Sequence, residues 1–145
     1  SFYEPSAPSP SFTLEQAITY KCDEINTACE NAIVAGFDFD DLHYSLTAND
    51  QANLISLSAL AQAGKDIPYH ADGEECRFYT AEEFNMLVAT ATIHKTHHTT
   101  YCNLLKLTVK DMTVVVDVYA VKYGATALEG EYLDKYNQIM ATFTN

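Results

Sequence analysis

The chain has 145 residues, a net charge of −12 from 20 acidic and 8 basic residues, and a 48% hydrophobic share. So acidic a surface repels phosphate groups, which excludes nucleic acid and anionic membranes as expected partners. No apolar run reaches the ~20 residues of a membrane span, and the hydrophobic share suits one folded domain rather than a disordered chain.

The first stretch, residues 1–12, reads SFYEPSAPSPSF and is dominated by proline and serine. This composition predicts an extended linker or tether rather than a folded element. Residues 13–145 are then predicted to form a single helical domain.

A first helix is predicted to begin at Thr13, where Gln16 completes a capping box, and to end at Gly36. Its apolar seam repeats at alternating spacings of four and three, through Ile18, Cys22, Ile25, Cys29 and Ala32. Subunits could share that seam, but cysteine and alanine bury little area, so we expect a weak homo-oligomer at most.

The next segment, FDFDDLHYSL, alternates apolar and polar residues and predicts a short extended piece. Its aspartates, Asp38, Asp40 and Asp41, lack the interior glycine and closing glutamate of a calcium-binding loop. A second helix should begin at Thr47, which forms a capping box with Asp50, and stop at Gly64.

Residues 67–79, IPYHADGEECRFY, predict a β-hairpin with the tight turn at Asp72-Gly73. Loops on a rigid scaffold often carry binding, so we predict a contact surface at the tip of this hairpin. Its residues are Tyr69, His70, Glu75 and Arg77. Cys76 and His70 share the hairpin, but facing strands need not bring them within hydrogen-bond reach, and no catalytic residue is predicted.

The longest predicted helix runs from Thr80, capped by Glu83, to about Val109. Its inner face repeats at spacings of three and four through Phe84, Leu87, Ala91, His94, His98, Tyr101 and Leu105.

The histidines of this helix allow two interpretations. His94, His98 and Cys102 follow one another at four-residue spacing and could ligate a metal. We instead predict that His94 and His98 pack inside and form hydrogen bonds, with His97 exposed and no metal or cofactor bound. Burial would then lower the pKa of His98, so His98→Leu should reduce the acid sensitivity of folding and His97→Leu should hardly matter.

Residues 113–121, TVVVDVYAV, have strand propensity but also helical spacing, and we favour a helix. The C-terminal EGEYLDKYNQIMATF predicts an amphipathic helix with Tyr132, Tyr136, Ile139 and Phe143 on one side. The four cysteines form no CxxC pair and are expected to be reduced thiols. The predicted fold is therefore mostly α, with four or five helices around one long central helix and a small β-hairpin.

Three strings, HYSLTANDQANL, PYHADGEECRFYTAEEF and HTTYCNLL, resemble an uncharacterised domain of tail-region proteins in phages and prophages of gut and other Gram-positive bacteria. The resemblance spans Leu14 to Phe143 and carries over no catalytic residue, although residues 114–118 are more apolar than that family suggests. It implies a tail-fibre or baseplate-associated virion protein, made in the bacterial cytoplasm, whose partners are other phage tail proteins or a host surface receptor.

The expected function is accordingly a non-catalytic structural, adaptor or host-adhesion module of a phage tail. Two alternatives stay open: a small metal-dependent enzyme or metal-binding protein that uses the histidine-rich helix, and an assembly chaperone for tail fibres.

Overall fold

The computed structural model describes residues 11–144, which contain five α-helices and four short β-strands. The helices are α1 (Leu14–Ala35), α2 (Ala48–Gln62), α3 (Ala81–Lys110), α4 (Val115–Ala120) and α5 (Gly130–Met140), with a final 3-10 turn at Ala141–Phe143. The strands β1 (Phe37–Phe39), β2 (Leu42–Tyr44), β3 (Ile67–Tyr69) and β4 (Arg77–Tyr79) form two antiparallel hairpins, β1–β2 and β3–β4. The predicted mostly α fold is confirmed. The first ten residues of the predicted linker lie outside the described residues.

The helix starts follow the capping signals of the sequence. Before α1, the N–H of Thr13 donates to Oε1 of Gln16 at 2.9 Å, and the N–H of Gln16 donates to Oγ1 of Thr13 at 3.1 Å. Thr47 and Asp50 form the same reciprocal pair before α2. Each box satisfies two N–H groups that the first helical turn would otherwise leave unpaired.

The residues group into two compact units, and both boundaries fall within helices. We call residues 31–97 the middle unit, and residues 11–30 together with 98–144 the terminal unit. The prediction of one domain over 13–145 stays a prediction. No helix in residues 11–144 is long and apolar enough to cross a membrane.

The middle unit contains a hairpin where the sequence indicated only an extended piece. Strands β1 and β2 pair in the register Phe37↔Tyr44, with Asp40 and Asp41 reversing the chain between them. Both aspartates adopt positive φ, at 52° and 66°. Aspartate tolerates this left-handed conformation, but the hairpin signal that we read relies on glycine, so the turn was missed.

The core of the middle unit is built from both hairpins, α2 and the adjoining parts of α1 and α3. Its buried apolar side chains are Ile33, Phe37, Tyr44, Leu46, Leu54, Ala61, Ile67, Ala71, Tyr79, Phe84, Leu87 and Ala91. Aromatic rings make up much of this set, so the core gains edge-to-face contacts in addition to buried area.

In the terminal unit, the buried line of α1 differs from the predicted seam. It follows strict four-residue spacing through Ala17, Lys21, Ile25 and Cys29. Ile25 and Cys29 were correctly placed, whereas Ile18 and Cys22 are only half-buried. Residues 113–121, which had both strand and helix signals, contain helix α4, as we favoured. Val118 and Val121 are buried.

Candidate functional site

The middle unit contains an open polar cleft of about 220 Å³. Its walls come from the end of β2, the N-terminal half of α2 and the β3–β4 hairpin with its connecting loop. Its lining side chains include Tyr44, Ser45, Asp50, Tyr69, His70 and Asp72. It is therefore a concave surface in which an aromatic wall and carboxylates occur together.

The aromatic wall consists of tyrosines stacked against the core. The ring of Tyr69 is parallel to that of Tyr44, within 2°, with centroids 6.2 Å apart. Tyr69 also contacts Phe84 edge-on, with ring centroids 5.7 Å apart. These contacts fix the half-buried Tyr69 ring, so the wall is formed before any ligand arrives.

The Asp72 carboxylate is held on one side of the cleft by Ser45. The backbone N–H of Ser45 donates to Oδ1 of Asp72 at 3.0 Å, and the Ser45 hydroxyl donates to Oδ2. These hydrogen bonds lower the pKa of Asp72 below its usual value, so the group is ionised at neutral pH. The predicted turn is also present, because the N–H of Glu74 donates to the carbonyl of Ala71 across Asp72 and Gly73 at 3.1 Å.

The Asp50 carboxylate is fixed by its capping box at the start of α2. Its Oδ2 accepts from the N–H of Thr47 at 2.9 Å and from the Thr47 hydroxyl at 2.8 Å. Burial, followed by the negative charge of Asp50, raises the pKa of Tyr69 to about 12. The tyrosine wall therefore stays neutral and faces a negative electrostatic potential.

The structure brings together two of the four predicted contact residues. Tyr69 and His70 line the cleft, and Nδ1 of His70 lies 2.8 Å from the carbonyl oxygen of Ala71. Glu75 is exposed but lies outside the lining. Arg77 also lies outside it, although it pairs with Tyr69 across the hairpin, and the role of the four residues as a contact surface stays a prediction.

Arg77 is instead bound within the fold. Its Nη2 donates to Oε2 of Glu83 at 2.8 Å, and its guanidinium lies 3.6 Å above the centre of the Tyr79 ring. The hydrogen bond to Arg77 lowers the pKa of Glu83 below its usual value. Glu83 thus serves two purposes, because its N–H also donates to Oγ1 of Thr80 at 3.1 Å in the cap of α3.

Sequence reasoning missed several residues of this region. Asp72 was interpreted only as a turn residue, although a turn aspartate can also bond distant backbone groups. Phe78 is 71% exposed and pairs with Pro68 across the hairpin, so an apolar pair lies on its outer face. Cys76 and His70 both line the cleft, which hairpin geometry alone did not predict.

The histidines of α3 are hydrogen-bonded, as predicted, but half-buried rather than interior. Nε2 of His94 lies 3.2 Å from the carbonyl oxygens of Ala32 and Ile33, and Nδ1 of His98 lies 2.8 Å from the Tyr123 hydroxyl. Among the described residues, no group of three His, Cys, Asp or Glu side chains is placed to hold a metal ion.

The predicted exposure of His97 is wrong, since this side chain is half-buried. It lies three residues after His94 and four before Tyr101, which is itself the spacing of a buried helical face. Burial, with a smaller contribution from the charge of His94, lowers the pKa of His97 below its ordinary value.

A family profile described as a domain of unknown function (DUF4376) matches residues 16–125 of the chain. This range includes the whole lining of the cleft. No curated protein and no solved structure matches the chain.

Proposed function

The chain belongs to the family described as a domain of unknown function (DUF4376), and on that premise we propose that it is a non-catalytic contact module of a phage or prophage tail. In this proposal it is part of the virion, and its partners are other tail proteins or a host surface receptor. The cleft of the middle unit is the surface that meets the partner.

One observation carries the proposal. Two of the three strings that resemble tail-region proteins, residues 43–54 and 68–84, supply every side chain that lines the cleft. Residues 55–67 separate these strings in the chain, and the fold joins the strings through the hydrogen bonds between Ser45 and Asp72. The sequence features behind the resemblance are thus the features that build the cleft.

The physical character of the cleft favours contact over chemistry. Both carboxylates are held by hydrogen bonds, Asp50 by Thr47 and Asp72 by Ser45, which fixes their position. The tyrosine wall is held by stacking against Tyr44. A rigid concave surface binds a partner at a reduced cost in side-chain ordering, which favours a stable contact.

The location is tested by mass spectrometry of gradient-purified phage particles from the host strain that encodes the chain. A tail module should be recovered in the particles in fixed proportion to the tail-tube protein. Recovery in the cell lysate but not in particles would contradict the proposal and favour an assembly chaperone. Stoichiometric zinc or iron in the purified protein would instead favour a metal-dependent enzyme.

The contact surface is tested in the same particles by a variant of the cleft opening. The double variant Asn53→Ala/His70→Ala removes two lining side chains that take no part in the Tyr44–Tyr69 stack or in the hydrogen bonds of Asp50 and Asp72. We expect it to reduce incorporation of the chain or adsorption of particles to cells. The matched control is Glu74→Ala, an exposed change on the same loop that lies outside the lining and outside the predicted contact residues, which should leave both measurements unchanged. An equal effect of the control would contradict the assignment to the cleft.

A further inference from the structure

Resting on the proposed contact function, we propose that the cleft binds a cationic side chain, arginine or lysine, presented by an extended segment of the partner polypeptide. The occupant follows from the charge, the aromatic wall and the size of the cleft.

The charge of the cleft is negative and is not neutralised within its lining. Asp50 and Asp72 contribute two carboxylates, and none of the lining side chains is lysine or arginine. The middle unit as a whole carries ten acidic and three basic residues. A cation entering the cleft is therefore attracted both by the two carboxylates and by the wider field of the unit.

The hydrogen bonds to Ser45 and Thr47 leave some acceptor positions of the two carboxylates unused. A carboxylate offers about four acceptor positions. Ser45 uses one position on each oxygen of Asp72, and Thr47 bonds one oxygen of Asp50. The remaining positions can accept from a guanidinium or an ammonium group, which has only donors.

The middle unit already holds one cation, Arg77, by means of a tyrosine ring and a carboxylate. The Arg77 guanidinium lies over the Tyr79 ring, 3.6 Å from its centre, and pairs with the Glu83 carboxylate. The cleft presents a tyrosine ring, Tyr69, together with the carboxylates of Asp50 and Asp72, and no cation from this chain lines it. Aromatic faces attract cations, so this arrangement favours a cation over a neutral side chain.

The size of the cleft selects a side chain rather than a larger ligand. Its volume is about 220 Å³, below the roughly 300 Å³ at which pockets for drug-sized molecules begin. Pro68 lines the cleft and pairs with the exposed Phe78 across the β3–β4 hairpin, so this pair offers apolar contact to the neighbouring residues of a peptide. A basic residue within an extended segment fits both features.

The test is an NMR titration of the ¹⁵N-labelled full chain with the blocked peptide acetyl-Gly-Gly-Arg-Gly-Gly-amide. We expect chemical-shift changes concentrated at residues 44–53 and 68–76. The citrulline peptide, which keeps the shape of arginine but has no charge, should bind about fivefold or more weakly. Equal binding of both peptides, changes elsewhere in the chain, or no binding would overturn the proposal.

Variants separate the cleft from the general acidity of the protein. Asp72→Asn should weaken binding of the arginine peptide about threefold or more, whereas Glu82→Gln, the same loss of charge on an exposed residue outside the lining, should not. If both variants weaken binding equally, attraction is nonspecific and the proposal fails. Tighter binding of free agmatine than of the peptide would overturn the assignment to a polypeptide.

Failure of this inference is distinguishable from failure of the proposed function. If the chain is present in purified particles and the double variant of Asn53 and His70 impairs them, the contact function stands. Absence of binding by the arginine peptide would then reject only the cationic occupant.

Discussion

The phenol oxygens of Tyr44 and Tyr79 lie 2.6 Å apart and are linked by a buried hydrogen bond. Tyr44 ends β2 and Tyr79 ends β4, and their side chains are only 2% and 1% exposed. This bond therefore joins the two hairpins of the middle unit beneath the cleft. Burial raises the pKa of Tyr44 above its usual value, so the Tyr44 phenol remains neutral throughout the physiological range.

Tyr44→Phe should lower the free energy of unfolding by about 1–3 kcal/mol, because it leaves the Tyr79 hydroxyl buried without its partner. The double variant Tyr44→Phe/Tyr79→Phe should cost less than the sum of the two single changes. Urea denaturation of the four proteins measures this coupling.

The control for that cycle is Tyr132→Phe, which removes a hydroxyl bonded to the exposed Asp111 carboxylate at 2.7 Å. Water can replace that partner, so the loss should be smaller than for Tyr44→Phe. Strict additivity of the two core changes would contradict the coupling.

Lys21 is a buried cation, with 4% of its surface exposed. Its ammonium donates to Oε1 of Glu24 at 2.6 Å and to the carbonyl oxygen of Val121 at 2.7 Å. Lys21→Met keeps an unbranched apolar stem of similar length but removes the ammonium, so that carbonyl loses its donor. We expect the free energy of unfolding to fall by about 2 kcal/mol.

Glu24→Gln is the matched control for Lys21, because the Glu24 side chain is 45% exposed and water can replace its part of the ion pair. A change within about 0.5 kcal/mol is expected. Equal free energies of unfolding for the two variants would show that the hydrogen bond from Lys21 to the Val121 carbonyl contributes little to stability.

Gly36 ends α1 with a φ of +93°, and a Cβ at this position would overlap the carbonyl oxygen of Tyr44. Gly36→Ala thus combines a left-handed backbone with a steric clash. Gly64→Ala, at φ +78° with open space around the Cβ, carries only the backbone cost of about 1–2 kcal/mol. Gly36→Ala should be the more destabilising by at least about 1 kcal/mol in thermal or urea unfolding. Equal losses of stability in the two variants would mean that the backbone near Tyr44 moves away from the new Cβ with no cost in free energy.

His97 should make the fold sensitive to acid. Burial lowers the pKa of His97 in the folded chain. In the unfolded chain His97 is protonated near the ordinary histidine pKa of ~6.5, whereas in the folded chain it is protonated only at lower pH. Stability contributed by the neutral ring is present above ~6.5 and is lost as the pH falls through that interval. His97→Leu should therefore flatten the dependence of unfolding free energy on pH between about pH 8 and about pH 5.

His43 provides a control of opposite sign. Its Nδ1 lies 2.8 Å from Oδ1 of Asp38 and its Nε2 lies 2.5 Å from the carbonyl oxygen of Ala35, so only the protonated ring can donate to both. The hydrogen bond to Asp38 raises the pKa of His43. Its contribution is present below the unfolded pKa and is lost as pH rises through the folded one, so His43→Gln should reduce stability only in acid.

If His98→Leu flattened the profile and His97→Leu did not, the assignment to His97 would be wrong.

The sequence predicted those parts of the fold that depend on neighbouring residues. The caps at Thr13 and Thr47 and the helix ends at Gly36 and Gly64 are present because each requires only contacts within one turn. The β3–β4 hairpin and the length of α3 follow from patterns of similarly short range.

The cleft could not be predicted in the same way. Ser45 and Asp72 are 27 residues apart, and the hydrogen bonds between them leave no periodic trace in the sequence. The burial of Lys21 could not be predicted either, since it depends on a hydrogen bond to the carbonyl of Val121, which is 100 residues away in the chain. Long-range polar contacts of this kind specify the site while hydrophobic periodicity specifies only the elements that carry it.

The distribution of the cysteines has a practical consequence. Cys76 is exposed and lines the cleft, whereas Cys29 and Cys102 are buried and Cys22 is half-buried. Burial also raises the pKa of Cys22 and of Cys102, which keeps these two thiols protonated and slow to react. A maleimide fluorophore should consequently attach first to Cys76, at the mouth of the cleft. The wild-type chain thereby carries its own attachment point for an optical reporter of occupancy, with no engineered cysteine needed.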